Sequence, residues 1–185
     1  MESRRNMMRE LLLESLRELM IRNVFEKITI KQICDRAGVI RATFYNYYED
    51  KYDCLNAIVY HDLAREALED IGEPMHMDRI TRLLETVEEN RDFYRMAYNV
   101  TGQNSFDDMV SGNIALVFME VFRRYRDPSV FPKYSDEMLA DYYSQSFGFV
   151  IKQFALRRDP VLTPVQAAQM TETLMRNSFV SFLKK

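Results

Sequence analysis

Apolar residues recur along this chain at three- and four-residue intervals, with polar clusters between the recurrences, the pattern of packed amphipathic helices. Leu12, Leu16, Leu19 and Met20 define a first helix from about Arg4 to Arg22, with Arg9, Glu10, Arg17 and Glu18 largely on the opposite side. A second begins at Thr29, whose spacing to Gln32 is that of a capping box, with Ile28 and Ile33 placed as a hydrophobic staple. Ile30, Ile33, Cys34 and Ala37 face inward, and Gly38 stops the helix because glycine takes the left-handed conformation without steric cost. Val39 fills the corner before a short third helix, on which Phe44 and Tyr48, four apart, share the buried face.

Asp50 caps a fourth helix that runs to about Asp70, with Leu55, Ile58, Val59 and Leu63 inward, until residues 71–74 break it. Ile80, Leu83, Leu84 and Val87 give a further stripe, and Phe93, Tyr94 and Ala97 another. Ser105 opens a long helix carrying Val110, Ile114, Val117, Phe118, Val121 and Phe122. Ser135 opens the next, expected over residues 136–158, with Leu139, Tyr143, Phe147, Val150 and Phe154 on one side and Tyr142 and Phe149 widening the apolar surface. Thr163 and Gln166 form a second capping box with Pro164 at the first helical position, opening a last helix expected over residues 164–183. Gly148 sits inside a helix, where a close helix approach would compensate its cost of about 1 kcal/mol.

The expected fold is therefore all-α: an N-terminal three-helix helix-turn-helix domain over residues 1–50, and a C-terminal helical ligand-binding and dimerisation domain over residues 51–185. Nearly half of the 185 residues are apolar, and five glycines and five prolines interrupt them, so a folded helical protein is indicated rather than a disordered one. No apolar run approaches bilayer length and no export segment opens the chain, so a cytoplasmic location without membrane contact is expected.

The net charge of −3 gives no general signal for nucleic acid. Residues 1–55 carry +1 and the remainder −4, so a DNA contact must come from a locally basic face. Two cysteines, Cys34 and Cys54, do not make a disulfide framework, and with His61 and His76 as the only histidines no metal site is expected. No catalytic residue or cofactor is expected either: the chain has no glycine-rich phosphate loop and no nucleophile elbow, and Glu88–Glu89 and Asp107–Asp108 are helix neighbours that point apart.

The second and third helices carry the chemistry. A short helix after a tight glycine turn, bearing small, hydroxyl and aromatic residues, suits a DNA groove. Arg41 can bind phosphate or guanine, Thr43 can touch a phosphate or a thymine methyl, and Asn46 can read a base edge. Tyr45 and Tyr47 can reach phosphates through their hydroxyls, and Lys51 lies beside the same surface.

This segment resembles the TetR family of bacterial transcriptional regulators. The resemblance rests on Ile33-Cys34-Asp35-Arg36-Ala37-Gly38-Val39-Ile40, then Ala42, Thr43-Phe44-Tyr45, Tyr47-Tyr48 and Lys51, and covers roughly residues 5–60. It implies double-stranded operator DNA as partner, with Arg41, Thr43, Tyr45, Asn46, Tyr47 and Lys51 at the DNA, and Thr29 at the start of the preceding helix is a further DNA-binding candidate. Ile40 departs from the pattern, standing where the family's capping serine belongs. The overall layout is loosely similar to the branch of dihydroxyacetone-kinase-type regulators.

The resemblance further implies a homodimer built from the last two helices, with Leu139, Phe147, Gly148, Val150, Phe154, Met175, Phe179 and Phe182 as interface candidates. It also implies an effector pocket in the larger half. Candidates by residue type are Tyr60, His61, Phe93, Tyr94, Met96, Tyr98, Phe118, Phe122 and Tyr143, which suit an apolar or planar small molecule of unspecified identity. The implied function is a ligand-responsive repressor on a palindromic operator. The alternative is a protein-binding co-regulator on the same fold with weakened DNA binding, motivated by Ile40.

Overall fold

The computed structural model describes residues 2–69, 71, 77–127, 129–130, 132–157, 162–177 and 181, with side chains from residue 5 onward. Among these every regular element is helical. Helix α1 (Glu2–Arg22) buries Leu12, Leu16 and Met20, as its spacing requires. One residue assigned to its outer side belongs inside: the Arg17 side chain is only 11% exposed. Arg17 lies four residues after Leu13 and three before Met20, so it continues the buried row at helical spacing.

After a short 3-10 turn (Phe25–Lys27), α2 (Ile30–Ala37) starts at a complete capping box. The Thr29 hydroxyl accepts from the Gln32 backbone N–H, and the Gln32 side chain accepts from the Thr29 backbone N–H at 2.8 Å. Gly38 ends the helix at φ 68°, ψ 32°, and its reversal delivers α3 (Arg41–Tyr45) across α2. Phe44 and Tyr48 are buried between these helices and α1 and α4 (Lys51–Val59), anchoring the short α3 to one continuous apolar core. Both cysteines are buried and free in that core, where burial raises their thiols and keeps them protonated.

The fourth helix departs from the single regular rod its pattern suggests. Beyond Val59 the chain makes a π-helical turn, Tyr60–Ala64, in which the Arg65 N–H bonds to the Tyr60 carbonyl five residues back, before resuming as α5 (Arg65–Glu69). A π turn inserts one residue into the helical ladder and re-aims the side chains around it.

The larger half packs α6 (Met77–Glu89), α7 (Arg91–Ala97), α8 (Phe106–Tyr125), α9 (Asp136–Leu156) and α10 (Pro164–Arg176) together, with α6 and α8 against the π turn. Ser105, Ser135 and Thr163 cap the last three helices through their side-chain oxygens. Helix α8 runs along α9, α10 lies on α6, and α1 reaches across to α7, so the first helix joins both halves. Helix α10 ends at Arg176, with Asn177 extended; of the rest of the span expected to residue 183, residues 178–180, 182 and 183 lie outside the described residues.

The α8–α9 contact explains Gly148. A Cβ there would sit 3.2 Å from Ser111 Oγ and 3.8 Å from Val110 Cγ1, so the absent side chain lets the two helices approach. Gly148, Phe147 and Phe154 are thus buried within the single chain, with Phe147 and Phe154 at the floor of a groove between α9 and α10. Leu139, Val150 and Met175 are half-buried, while Phe179 and Phe182 lie outside the described residues. The apolar surface on these helices comes from the neighbouring row, chiefly Tyr142, Phe149, Leu156, Met170 and Leu174.

Candidate nucleic-acid interface and regulatory cavity

The two-helix corner leaves a defined set of side chains outside the core. With Phe44 fixed beneath it, α3 leaves Arg41, Tyr45 and Asn46 exposed and Thr43 and Tyr47 half-buried. The Tyr45 ring meets Phe44 edge-on at 5.7 Å, which holds the phenol away from the interior. Tyr47 leans on Tyr48, with ring centroids 6.4 Å apart. Thr29 is exposed at the head of α2, with its hydroxyl engaged in the capping box. These groups are carried by helices whose ends are locked by the Gly38 turn and the Asp50 cap, so little freedom remains to be lost on meeting a rigid duplex.

Lys51 is engaged within the unit itself. Its ammonium donates to the carbonyls of Phe25, Glu26 and Ile28 at 2.9, 3.0 and 3.0 Å, which engages all three of its donors. Desolvation lowers its pKa, against the nearby charges of Glu26 and Asp50. The start of α3 is also weaker than it could be. Ile40 occupies the N-cap with no side-chain bond to the helix and is 72% exposed.

A cavity of about 300 Å³ opens in the larger half between the π turn, α6, α8 and α9. Phe118, Phe122 and Tyr143 form an aromatic wall, with centroid separations of 5.7 to 6.2 Å. Leu63, Ile80, Leu83 and Val121 supply aliphatic surface, and Asp62, Glu66, Arg79, Arg82 and Thr86 supply polar groups. Arg82 pairs with Glu66 at 2.7 Å.

Of the nine ligand candidates, three therefore line this cavity, Phe118, Phe122 and Tyr143, and Met96 does not. Phe93, Tyr94 and Tyr98 instead surround Phe106 in a buried aromatic cluster, where they are core. Tyr60 is exposed, and His61 turns toward α1, its ring nitrogens 3.4 Å from Glu10 and from Asp62.

Asp62 is the residue that sequence reasoning passed over. Arg17 Nη1 and Nη2 donate to its two carboxylate oxygens at 3.1 and 3.0 Å, and the Tyr94 hydroxyl donates to Oδ2 at 3.0 Å. Its side chain is 4% exposed. Burial would raise its pKa, but the hydrogen bonds from His61, Arg17 and Tyr94 and the Arg17 charge outweigh that and hold it below the ordinary value. Desolvation likewise opposes the Arg17 charge, and Asp62 more than restores it. The signal was present in the pattern: Asp62 follows Leu55 by seven and Ile58 by four, which puts a carboxylate on an apolar stripe.

A helix-turn-helix with an exposed reading face, joined through its first helix to a larger helical half, defines a class, the DNA-binding transcriptional regulators. Residues 12–58 match the profile of bacterial regulatory proteins of the tetR family, and residues 77–177 match that of a transcriptional regulator C-terminal region. The chain belongs to the TetR family, a class of regulators rather than enzymes. It is 25% identical over 89 residues to the HTH-type dhaKLM operon transcriptional activator DhaS of Lactococcus lactis subsp. lactis (strain IL1403), a match spanning about half (48%) of each chain. The fold is similar to the dihydroxyacetone kinase operon activator DhaS, with TM-score 0.59 and 15% identity over 91% of this chain and 92% of that one. It is also similar to a protein of Syntrophomonas wolfei str. Goettingen described as a TetR-family transcriptional regulator, with TM-score 0.63 and 17% identity over 96% and 97%. Among the described residues no helix is long and apolar enough to cross a membrane.

Proposed function

We propose that this protein is a ligand-responsive repressor that occupies a palindromic operator as a homodimer in the cytoplasm. Residues 1–50 form the DNA-binding domain, and residues 51–185 hold the effector and the partner subunit. Arg41, Thr43, Tyr45, Asn46 and Tyr47 meet the duplex, with Thr29 beside them and Lys51 supporting the unit from behind. The observation that carries this reading is the joint exposure of Arg41, Tyr45 and Asn46 on a helix pinned by buried Phe44. Two such helices related by a two-fold axis fit half-sites one helical turn apart. The apolar row on α9 and α10 supplies the partner surface, and the aromatic cavity supports an apolar or planar effector.

The test is selection of duplexes from a random pool, followed by binding to the winning site across a range of salt. A site-specific preference with a steep salt dependence is the expected result. Arg41→Ala and Tyr45→Ala should each weaken that binding by about 1–3 kcal/mol, with the oligomeric state unchanged. Absence of any preference over random DNA would favour the second reading, a protein-binding co-regulator. Uncapped Ile40 supports that alternative. DhaS is named an activator, so the sign of regulation is set by a reporter assay with the operator upstream of or within the promoter.

A further inference from the structure

Asp62 faces two ways. It lies on the lining of the cavity, and it is bound by Arg17, which comes from the first helix of the DNA-binding unit and is not part of that lining. The two residues are 45 apart in sequence, so the pair ties the halves of the fold together. It also sits within the π turn, a local departure from the α-helical ladder of the kind that is frequent at functional sites.

We propose that Asp62 is the contact through which the cavity's occupant acts on the DNA-binding unit, and that this occupant is an apolar or aromatic molecule bearing a cationic amine. The proposal rests on the ligand-responsive reading above and names the ligand class and the relay. A buried carboxylate accepts hydrogen bonds and donates none, so only a donor can compete for it. Glu66, the other acid on the lining, already has Arg82 beside it as a lining partner, whereas the counter-charge of Asp62 comes from α1. Phe118, Phe122 and Tyr143 on the same lining suit the apolar body of such a ligand and favour a cation near their rings. Drawing Asp62 toward it loosens the grip of Arg17, and α1 becomes free to shift against the π turn. The ligand then has different affinities for the two arrangements, which is the condition for moving the recognition helices.

Three probes of one shape decide the ligand class: 2-naphthylmethylamine, 2-naphthylmethanol and 2-naphthylacetate, titrated calorimetrically into the full chain. The amine should bind at least tenfold more tightly than the alcohol, and Asp62→Asn should abolish that preference. Equal binding of amine and alcohol, or tightest binding of the carboxylate through Arg79, overturns the proposal. So does an amine preference that survives in Asp62→Asn. Should that variant not fold, the double replacement Arg17→Met with Asp62→Leu takes its place, since an apolar pair of similar volume can replace a buried ion pair without loss of stability. For the relay, saturating amine should shift affinity for the selected duplex at least fivefold in the wild type and leave the double variant unmoved. A protein that binds its site with no such shift retains the regulator assignment and loses this relay. A protein that binds the amine but selects no duplex loses the regulator assignment and keeps the amine site.

Discussion

Lys51 is bonded to the Ile28 carbonyl at 3.0 Å, and the same ammonium holds the Phe25 and Glu26 carbonyls, across the 3-10 turn that precedes α2. It also stands 4.6 Å from the centroid of the Phe25 ring. The lysine at the head of α4 thereby closes the connector between α1 and α2 and fixes the platform on which α3 rests. Lys51→Met should cost about 1–2 kcal/mol, because three carbonyls lose a charged donor but regain partial access to water. Urea unfolding measures this. A phosphate contact would lower the salt slope of DNA binding by about one when removed. The expected result for Lys51→Met is an unchanged slope with weaker binding at every salt concentration.

The head of α3 invites repair. Ile40 has extended backbone, φ −85° and ψ 155°, as an N-cap residue should, yet offers the orphan N–H groups no acceptor. Ile40→Ser supplies one and removes an exposed apolar side chain. Stability should rise by about 0.5–1 kcal/mol, read as a higher urea midpoint with no change in slope. Affinity for the selected duplex should rise as well, since α3 would be better formed before it binds. A destabilised variant would mean that Ile40 packs against something in the native state that its exposure conceals.

What could be read from the sequence depended on how local each interaction is. Thr29 with Gln32 and Thr163 with Gln166 are three residues apart, and the Gly38 stop needs only its own backbone, so these signals survive without tertiary knowledge. The Arg17–Asp62 pair spans 45 residues, and nothing near either position announces the other. Periodicity also cannot say which of two apolar faces meets which neighbour. Leu139, Tyr143, Phe147, Val150 and Phe154 formed the clearest stripe on α9, and Phe147 and Phe154 are buried within the chain beside Gly148, leaving the adjacent row exposed. For the same reason Phe93, Tyr94 and Tyr98 were indistinguishable by type from Phe118, Phe122 and Tyr143. Only packing around Phe106 separates core from cavity wall.

The buried carboxylate should register in the acid stability of the fold. Its folded pKa lies below the ordinary 3.8, so the unfolded chain takes up the proton first as the pH falls. A group shifted in this direction stabilises the fold above its unfolded pKa, and that contribution is lost as the pH drops through the folded value. For Asp62 the contribution is complete above about pH 5 and fades below about pH 4. Wild-type stability in urea should therefore fall more steeply than that of Asp62→Asn as the pH drops below about 4, although the variant is less stable at neutral pH by about 3–5 kcal/mol, the cost of orphaning a buried partner. Parallel pH curves for the two proteins would deny the carboxylate its ionised, paired state.

The partner surface can be tested apart from the DNA. Tyr142 and Phe149 are 66% and 63% exposed and seven residues apart, with Leu156 seven further on, so one line of large apolar groups runs the length of α9. Met170 and Leu174 on α10 flank the groove beside it. An unpaired apolar row of this kind marks an interface, and aromatic residues at its centre carry most of the binding energy, about 2–4 kcal/mol each. Tyr142→Glu with Phe149→Glu places two buried, unpaired charges on each side of that contact. Sedimentation equilibrium should show the 22.0 kDa monomer for this double variant and twice that mass for the wild type. Because both positions are exposed in the single chain, unfolding of the monomer should change little. Operator affinity should fall steeply, since each half-site would then bind alone and the second contact would lose the advantage of being tethered to the first. A wild-type chain that sediments as a monomer at micromolar concentration, or a double variant that still pairs, would place the interface elsewhere or remove it.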